Sequence, residues 1–430
     1  MQLDGSISTQ HLVLTFEQYI RSLHITVSTS PSSAIKAYAA GSAITIGVAV
    51  LVELVIILRG LPRGSRAEVP RAPSRSPAPM VSIIVPSYRE GERLVRAVRS
   101  LLGQDYPRRL YEIVIAGEAS DETLGPALSR LGLEARDGTS AVIDGVTVRL
   151  SLGNEGKGKP AALNRAVRLA RGEVIGVLDA DGVAPPDAIS RAVSLLGKGY
   201  AAVQLPRDFE LPPQASRTLR GSYIRGQAAE MRLYNRFLAP ALLGFTGSVW
   251  LTGSGYFVWR SDLEDVGYWT EDAPTEDLDL SVKLLAAGKR IGFAGGAPVM
   301  EEPLTSLRSL VRQKERWIRG SLLATASAMR GIRRTWPLVL IFIMPAWGYL
   351  ITPWLGLMFL AGLNPQLALW TAAWSAAWLV PVVVYYVSAV RSVGKSVRSL
   401  PASIAVYMVA GLVSLPKMVL RRHEWRGSRS

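Results

Sequence analysis

Residues 313–317, with the sequence Gln-Lys-Glu-Arg-Trp, combine side chains that can bind a phosphate and a sugar ring. Gln313, Arg316 and Trp317 fall at positions i, i+3 and i+4 of the predicted helical stretch 305–328, so they share one helical face. A guanidinium can bind a phosphate at two points, and an indole offers a flat apolar platform for a sugar. The pattern predicts a phosphate and sugar site covered by a helix. In the alternative interpretation, the basic residues face lipid headgroups and the tryptophan lies at a membrane interface.

Two carboxylates, Asp179 and Asp181, directly follow the apolar run 174–178. Carboxylates one residue apart at a strand end can share a hard divalent cation, Mg²⁺ or Mn²⁺, whose other ligands are phosphate oxygens and water. A solvated acidic turn is the alternative interpretation of so short a motif. The position directly after an apolar strand favours the metal site.

A second group of acidic residues, Glu276, Asp277 and Asp279, lies at the start of a predicted helix, directly after Thr275. Thr275 has the character of an N-cap, and a helix N-terminus stabilises carboxylates in its first turn, which is a complete structural explanation. The functional interpretation requires one carboxylate to project into a site and accept a proton from a hydroxyl group. We predict that Asp277 is this general base and that Glu276 accompanies it in the catalytic site.

Residues 156–164 form a segment rich in glycine and lysine. Glycines allow close approach of the backbone, and a lysine at a helix start, here Lys159, can bind an anionic diphosphate together with free backbone amides. The spacing of Gly153, Gly158 and Lys159 also matches an ATP-binding P-loop, but Pro160 stands where that motif needs a hydroxyl for Mg²⁺. An ATPase is therefore disfavoured, and a basic surface turn is the structural alternative.

The elements that must position these groups alternate between apolar strands and helices. Apolar runs occur at residues 81–86, 111–116 and 174–178, and helical patterns at 93–102 and 160–170. Continuous apolar strands separated by helices predict an α/β fold, with a mostly parallel sheet covered by helices on both faces. Ligands of such sheets bind beyond the carboxyl ends of the strands, which is where the first pair of aspartates falls.

Composition excludes several classes of protein. The chain has 430 residues, 49% of them hydrophobic, which suits a large core together with a membrane component. It has no cysteine, so disulfides, thiolate catalysis and cysteine-bound zinc are excluded. The formal net charge of +15 suits anionic lipid or phosphorylated substrates. Nucleic acid binding is not expected, because the sequence has no basic element interleaved with aromatic residues and no zinc-finger spacing.

Four stretches are apolar enough to concern a bilayer, and they predict an α-helical transmembrane part: residues 37–58, 336–361, 367–390 and 400–420. Arginines follow the first stretch and precede the second, which places the region between them on the cytoplasmic side of the cell membrane. The basic tail 421–430 conflicts with a fourth complete crossing. Either the last stretch lies flat or re-enters, or the tail is exported.

These motifs, in this order, resemble the membrane-embedded family 2 glycosyltransferases, the group that holds the cellulose, chitin and hyaluronan synthases. The resemblance covers about residues 80–335 and the flanking spans. It implies a GT-A type domain that binds a nucleotide sugar. The predicted organisation is an N-terminal segment (1–36), a transmembrane helix (37–58), a linker (60–79), a cytoplasmic GT-A domain (80–304), interfacial helices (305–335), a C-terminal transmembrane region (336–420) and a basic tail (421–430).

The resemblance implies a role for each candidate residue. The catalytic residues are Asp277 and Glu276, and the metal ligands for Mg²⁺ or Mn²⁺ are Asp179 and Asp181. The donor-binding residues are Pro86, Tyr88, Glu90, Glu118, Lys159, Asp179, Gln313 and Arg316, and the acceptor-binding residues are Trp317, Gly253, Ser254 and Gly255. Where the family usually has two aspartates followed by Gly-Ser, this chain has Gly-Glu-Ala-Ser at residues 117–120. Either Glu118 substitutes for an aspartate, or the nucleobase of the donor, for which a UDP-sugar is favoured, is bound differently.

The predicted function is an inverting transfer of a sugar from a nucleotide-sugar donor to a growing polysaccharide. The acceptor hydroxyl, deprotonated by Asp277, attacks the anomeric carbon in line with the departing diphosphate. One alternative is a transferase that places a single sugar on a lipid such as ceramide or a polyprenyl phosphate. Another is a catalytically silent membrane scaffold that keeps the fold.

Overall fold

The computed structural model describes residues 78–154, 158–213, 215, 218–331, 333, 335 and 398–420. The predicted spans 37–58, 336–361 and 367–390 lie outside the described residues, as do the N-terminal segment, most of the linker and the basic tail. Within the described ranges, the helix at 400–420 included, no helix combines the length and the apolarity that a membrane crossing requires.

The centre of the fold is an eight-stranded sheet, with a two-stranded sheet beside it. The strands are β1 (Val81–Ser87), β2 (Tyr111–Gly117), β3 (Ser140–Ile143), β4 (Val146–Leu152), β5 (Val174–Val177), β6 (Ala202–Gln204), β7 (Arg207–Phe209), β8 (Tyr256–Trp259), β9 (Ile291–Phe293) and β10 (Val299–Glu301). The large sheet has the order β3-β4-β2-β1-β5-β8-β6-β9, and β7 pairs with β10 in parallel. Its pairs β4-β2, β2-β1, β1-β5 and β6-β9 are parallel, whereas β3-β4 and both pairings of β8 are antiparallel. The predicted, mostly parallel sheet is therefore confirmed.

Helices cover both faces of the sheet, as the sequence pattern predicts. The α-helices of the described residues are α1 (Glu92–Leu102), α2 (Leu124–Arg130), α3 (Gly158–Leu169), α4 (Ala188–Leu196), α5 (Leu219–Leu233), α6 (Ala239–Thr246), α7 (Arg260–Asp265), α8 (Glu276–Ala286), α9 (Leu307–Arg330) and α10 (Leu400–Leu420). Successive strand side chains point to opposite faces, so Ile83 packs in the core beneath α1, α2 and α4, while Ile84 packs in the core beneath α3, α7 and α8. Both isoleucines are fully buried, which explains why β1 is apolar without alternation.

Outside the sheet, α10 packs against α5 and α9. Gly226 on α5 allows the close approach, because a Cβ atom there would lie 3.1 Å from the Ser403 Cβ atom of α10. Ile318 of α9 and Ala410 of α10 share a small apolar core. The apolar stretch 400–420 of the sequence is therefore a helix that packs against α5 and α9.

Candidate active site

Asp179 and Asp181 lie just beyond the carboxyl end of β5, and both are half-buried. The turn after the strand closes with a hydrogen bond from the Gly182 amide to the Asp179 carbonyl, at 2.8 Å. The Asp179 amide donates to the Ser254 hydroxyl at 2.9 Å, and Ser254 is fully buried. The buried Ser254 side chain, which the sequence predicts to contact the acceptor, therefore holds the backbone of the carboxylate pair.

Lys159, in the first turn of α3, brings three of the predicted segments together. Its Nζ atom lies 2.7 Å from Asp179 Oδ1 and 2.9 Å from Glu276 Oε1, and it donates to the Gly253 carbonyl at 2.6 Å. Burial lowers the pKa of Lys159, but the charges of Asp179 and Glu276 outweigh it and leave that pKa raised. The ammonium is therefore a fixed positive charge at the carboxyl edge of the sheet.

Asp277 lies in the first turn of α8, next to Glu276. Burial and the charge of Glu276 raise the pKa of Asp277 to about 6, although Lys159, the Leu278 amide and Arg316 act in the opposite direction. A carboxyl group of that pKa is half ionised near pH 6, which suits a general base that works at neutral pH.

Thr275 occupies the N-cap position of α8, as predicted, but its side chain makes no capping hydrogen bond. This side chain packs closely against α9, since a Cβ atom at Gly320 would lie 2.9 Å from the Thr275 Cβ atom and would overlap the rest of the side chain. Gly320 thus allows α9 to lie directly on the start of α8.

The loop before β8 needs glycine at two positions. Gly253 has φ of +91° and Gly255 has φ of +66°, a region that favours glycine. A Cβ atom at Gly253 would lie 3.4 Å from Asp277 Oδ2, and one at Gly255 would lie 2.9 Å from Val299 Cγ2. Gly253 therefore lies next to Asp277, the predicted base, whereas Gly255 packs against Val299 of the two-stranded sheet.

Arg316 connects α9 to this edge of the sheet. Its NH1 group donates to the Pro274 carbonyl at 2.9 Å, and its charge is near enough to lower the pKa of Asp277. Gln313 and Trp317 on the same helix are half-buried. The structure thus brings Arg316 to the predicted base, and Trp317 follows it directly on α9.

Four predicted donor-binding residues lie at or just beyond the carboxyl ends of β1 and β2, where a hydrogen bond from Arg89 to Asp121 joins the two following loops. Pro86, Tyr88, Glu90 and Glu118 are all half-buried, and Glu90 forms an ion pair with Arg93 at 3.3 Å.

Sequence reasoning missed Asp121, whose carboxylate accepts hydrogen bonds from the Arg89 amide at 2.6 Å and from the Thr123 amide at 2.9 Å. The Asp-x-Thr turn was the available signal.

Arg207, at the start of β7, is a second residue that the sequence analysis missed. Its guanidinium lies 2.7 Å and 2.5 Å from the two carboxylate oxygens of Glu301 on β10, and it also donates to the Thr252 carbonyl. Burial lowers the pKa of Arg207, but the charges of Glu301, Asp179 and Asp181 outweigh it and leave that pKa raised. Arg207 is therefore close to the aspartate pair, and a lone arginine beside Asp208 gave no sequence signal for this position.

The donor set suits a divalent cation that is bound together with a diphosphate. Asp179 and Asp181 present partly exposed, hard oxygen ligands on one turn. No group of three or more Asp, Glu or His side chains able to hold a metal ion occurs in the described part of the chain. A cation held by the two aspartates would therefore take its other ligands from substrate and water.

Comparison with known proteins matches the sequence of this chain to a family. The family model described as "Glycosyltransferase like family 2" matches residues 77–320, more than half of the chain. The beta-monoglucosyldiacylglycerol synthase of Synechocystis sp. is 30% identical over 249 residues, 57% of this chain and 49% of that protein. The poly-beta-1,6-N-acetyl-D-glucosamine synthase of Staphylococcus aureus is 24% identical over 249 residues, 56% of this chain and 54% of that protein. The chain spans about half the length of the curated relatives that it matches.

A solved structure matches over a larger share of the chain. The mannosyltransferase PcManGT from Pyrobaculum calidifontis, in complex with GDP-Man and Mn²⁺, aligns with a TM-score of 0.55 at 20% identity. The alignment covers 88% of this chain and 98% of that one. At such low identity the similarity concerns the fold alone, and it confirms a GT-A-like α/β fold.

Proposed function

This chain belongs to the glycosyltransferase like family 2, and from that premise we propose that it transfers a sugar from a nucleotide-sugar donor to an acceptor hydroxyl. The single observation that carries the proposal is the convergence on Lys159, whose ammonium contacts both Asp179 and Glu276. The segment for the donor diphosphate, the segment for a cation and the segment for the base therefore meet at one place. Such a meeting of the three segments supports group transfer over a scaffold role, because a scaffold does not need the diphosphate, cation and base segments at one place.

Asp277 is the proposed general base of an inverting reaction. It takes the proton from the acceptor hydroxyl as that oxygen attacks the anomeric carbon, and the bond from that carbon to the diphosphate breaks on the opposite side. No covalent intermediate on the enzyme is needed. The raised pKa of Asp277, about 6, supports this role, since the carboxylate is ionised at neutral pH and is basic enough to accept the proton.

The leaving diphosphate gains negative charge, which positive groups at the same edge of the sheet offset. Lys159 and Arg316 are the proposed protein contributors, and Glu276 keeps Lys159 in place through its ion pair. A divalent cation bound at Asp179 and Asp181 would supply Lewis-acid stabilisation of the same charge. Both aspartates would hold it from the turn that Ser254 fixes.

The acceptor class that we favour is a lipid carrying a free hydroxyl, and a growing glycan is the second candidate. The relative that is 30% identical is named for a glucosylated diacylglycerol, whereas the one named for a polymer is 24% identical. The apolar stretches predicted as spans, which lie outside the described residues, also support a site beside a bilayer. Attachment to the cell membrane with the catalytic region on the cytoplasmic side remains part of this proposal.

Product analysis tests the proposal directly. The full chain in detergent would be incubated with UDP-glucose, UDP-N-acetylglucosamine or GDP-mannose, with Mg²⁺ or Mn²⁺, and with vesicles of phosphatidylglycerol that contain dioleoylglycerol. We expect nucleotide release that depends on the cation, and a lipid product carrying one sugar. Long saccharide chains would instead favour the polymer synthase.

The matched controls separate catalysis from binding. Asp277→Asn should abolish transfer and leave binding of the nucleotide sugar nearly unchanged, because the amide keeps the shape but cannot accept the proton. Asp279→Asn is the control in the same helix turn, where the half-buried carboxylate accepts a hydrogen bond from the Thr270 hydroxyl at 2.6 Å and pairs with Lys283. Transfer at the wild-type rate in Asp277→Asn would disprove the assigned base, and no turnover of any donor by the wild type would favour the scaffold.

A further inference from the structure

Lys314 lies inside the run 313–317, yet it points away from solvent and joins three helices. Its Nζ atom lies 2.6 Å from Glu230 Oε2 on α5, and the Lys314 side chain is 1% exposed. The same ammonium lies 3.9 Å from the centroid of the Trp317 ring and 4.6 Å from that of Tyr407 on α10. One cation therefore sits against a carboxylate and two aromatic rings.

The charges in this cluster depend on each other. Burial raises the pKa of Glu230, which Lys314 and a hydrogen bond with Tyr407 partly offset. Burial lowers the pKa of Lys314, which Glu230 partly offsets and the charge of Arg207 reinforces. The cluster is thus within electrostatic range of the arginine beside the aspartate pair. Removal of either charge would leave the other buried without its counterion.

The Trp317 ring has little freedom in this arrangement. Lys314 precedes it by three residues on α9, so the two side chains lie on one face of the helix and the ammonium covers one side of the indole. A desolvated cation over an indole is at the strong end of cation–π contacts. Lys314 therefore contacts one face of the Trp317 ring, and side chains of α5 and α10 contact Lys314 in turn.

We propose that Glu230, Lys314 and Tyr407 are positioning residues that fix the Trp317 indole for the acceptor, so that α10 controls acceptor binding through Tyr407. The inference rests on the proposed function, in which Trp317 is the acceptor platform. None of the three needs to touch either substrate, because they act through the indole. The donor side of the site, at Lys159 and Asp179, has no part in this cluster.

Acceptor kinetics test the proposal with variants that differ in one group each. The full chain would be assayed with UDP-glucose and dioleoylglycerol in phosphatidylglycerol vesicles, and in parallel with UDP-N-acetylglucosamine and a short β-1,6-linked N-acetylglucosamine oligosaccharide. We expect Tyr407→Leu to raise the KM for the acceptor about tenfold, with the KM for the donor and its hydrolysis without acceptor within about twofold of wild type. Tyr407→Phe keeps the ring and should have a smaller effect. The double variant Glu230→Gln/Lys314→Met removes both buried charges, so neither is left without its counterion. Lys314→Arg keeps the positive charge and should retain more acceptor affinity than this double variant.

A matched control and a measurement that needs no turnover complete the test. Lys289→Met removes two partly exposed ion pairs, with Asp262 and with Asp265, and it should leave both KM values unchanged. The fluorescence of each protein minus that of its Trp317→Phe counterpart isolates this indole, and its quenching by acrylamide should increase in Tyr407→Leu. Unchanged quenching and an unchanged KM for the acceptor in Tyr407→Leu would overturn the inference while leaving the proposed function intact. If wild type turns over no donor, the proposed function fails, and the quenching still decides whether the cluster positions Trp317.

Discussion

The Nζ atom of Lys159 lies 2.9 Å from Glu276 Oε1, so an ion pair joins the first turn of α3 to the first turn of α8. The charge of Glu276 helps to raise the pKa of Asp277 to about 6, whereas the ammonium of Lys159 acts in the opposite direction. The group proposed to steady the diphosphate thus also tunes the group proposed to accept the proton.

We expect the pH dependence of kcat/KM to report this base. Only the ionised carboxylate accepts a proton, so kcat/KM should be constant at neutral pH and fall tenfold per pH unit once the pH drops below the pKa of Asp277, about 6. Glu276→Gln removes a neighbouring negative charge, which should shift the fall to lower pH. An acidic limb that stays in place in Glu276→Gln would contradict the coupling between the two carboxyl groups.

Asp277→Asn should make the folded protein more stable at alkaline pH. The pKa of Asp277 in the folded state, about 6, exceeds its ordinary value of 3.8, so the folded chain binds this proton more tightly than the unfolded chain does. The wild type therefore loses stability as the pH rises from 3.8 to 6, and the full cost, about 1 to 3 kcal/mol, applies above that range. Denaturation in urea should show the variant more stable at about pH 8. Near pH 4 the difference should be nearly absent, and a difference that is equal at both pH values would refute this origin.

The sequence predicted those parts of the site that depend on local pattern. An apolar run that ends in Asp179 predicts a strand with a carboxylate at its end, and a threonine before Glu276 predicts a helix start. Because parallel strands end at one edge of a sheet, the convergence of these groups follows from the fold class. The proposed base, the aspartate pair and Lys159 could therefore be predicted to lie at one edge of the sheet before any contact was known.

What the sequence could not predict are the partners that hold these groups. Arg207 and Glu301 are far apart in the chain and meet only because β7 pairs with β10. Ser254 is small and polar in a loop, which suits a substrate contact as well as the buried hydrogen bond that it makes to the Asp179 amide. The sequence analysis gave Lys314 no role of its own, and α5 and α10 bury it; no periodicity within α9 carries that information.

Gly320→Ala should separate α9 from α8, the helix that carries the proposed base Asp277, and should reduce activity. The added Cβ atom would overlap the Thr275 side chain, so either Thr275 or the helix must move, at a cost of about 1 to 3 kcal/mol. We expect a lower kcat together with a lower melting temperature. Gly125→Ala is the matched control, because its Cβ atom would meet nothing within 4 Å and alanine favours a helix. Wild-type kcat in Gly320→Ala would show that the spacing of the two helices does not matter for the reaction.

The buried pair of Arg207 and Glu301 should show strong coupling when one partner is removed. Arg207→Met leaves the Glu301 carboxylate buried, at 4% exposure, without its counterion, and loss of one member of such a pair costs about 3 to 5 kcal/mol. The double variant Arg207→Met/Glu301→Gln removes the orphaned charge, so urea denaturation should show it more stable than Arg207→Met alone. Its activity should nevertheless stay low, because the positive charge near Asp179 and Asp181 and the hydrogen bond to the Thr252 carbonyl are both lost. Recovery of both stability and activity in the double variant would limit Arg207 to a structural role in the small sheet, whereas recovery of stability alone would place it among the groups that serve the reaction.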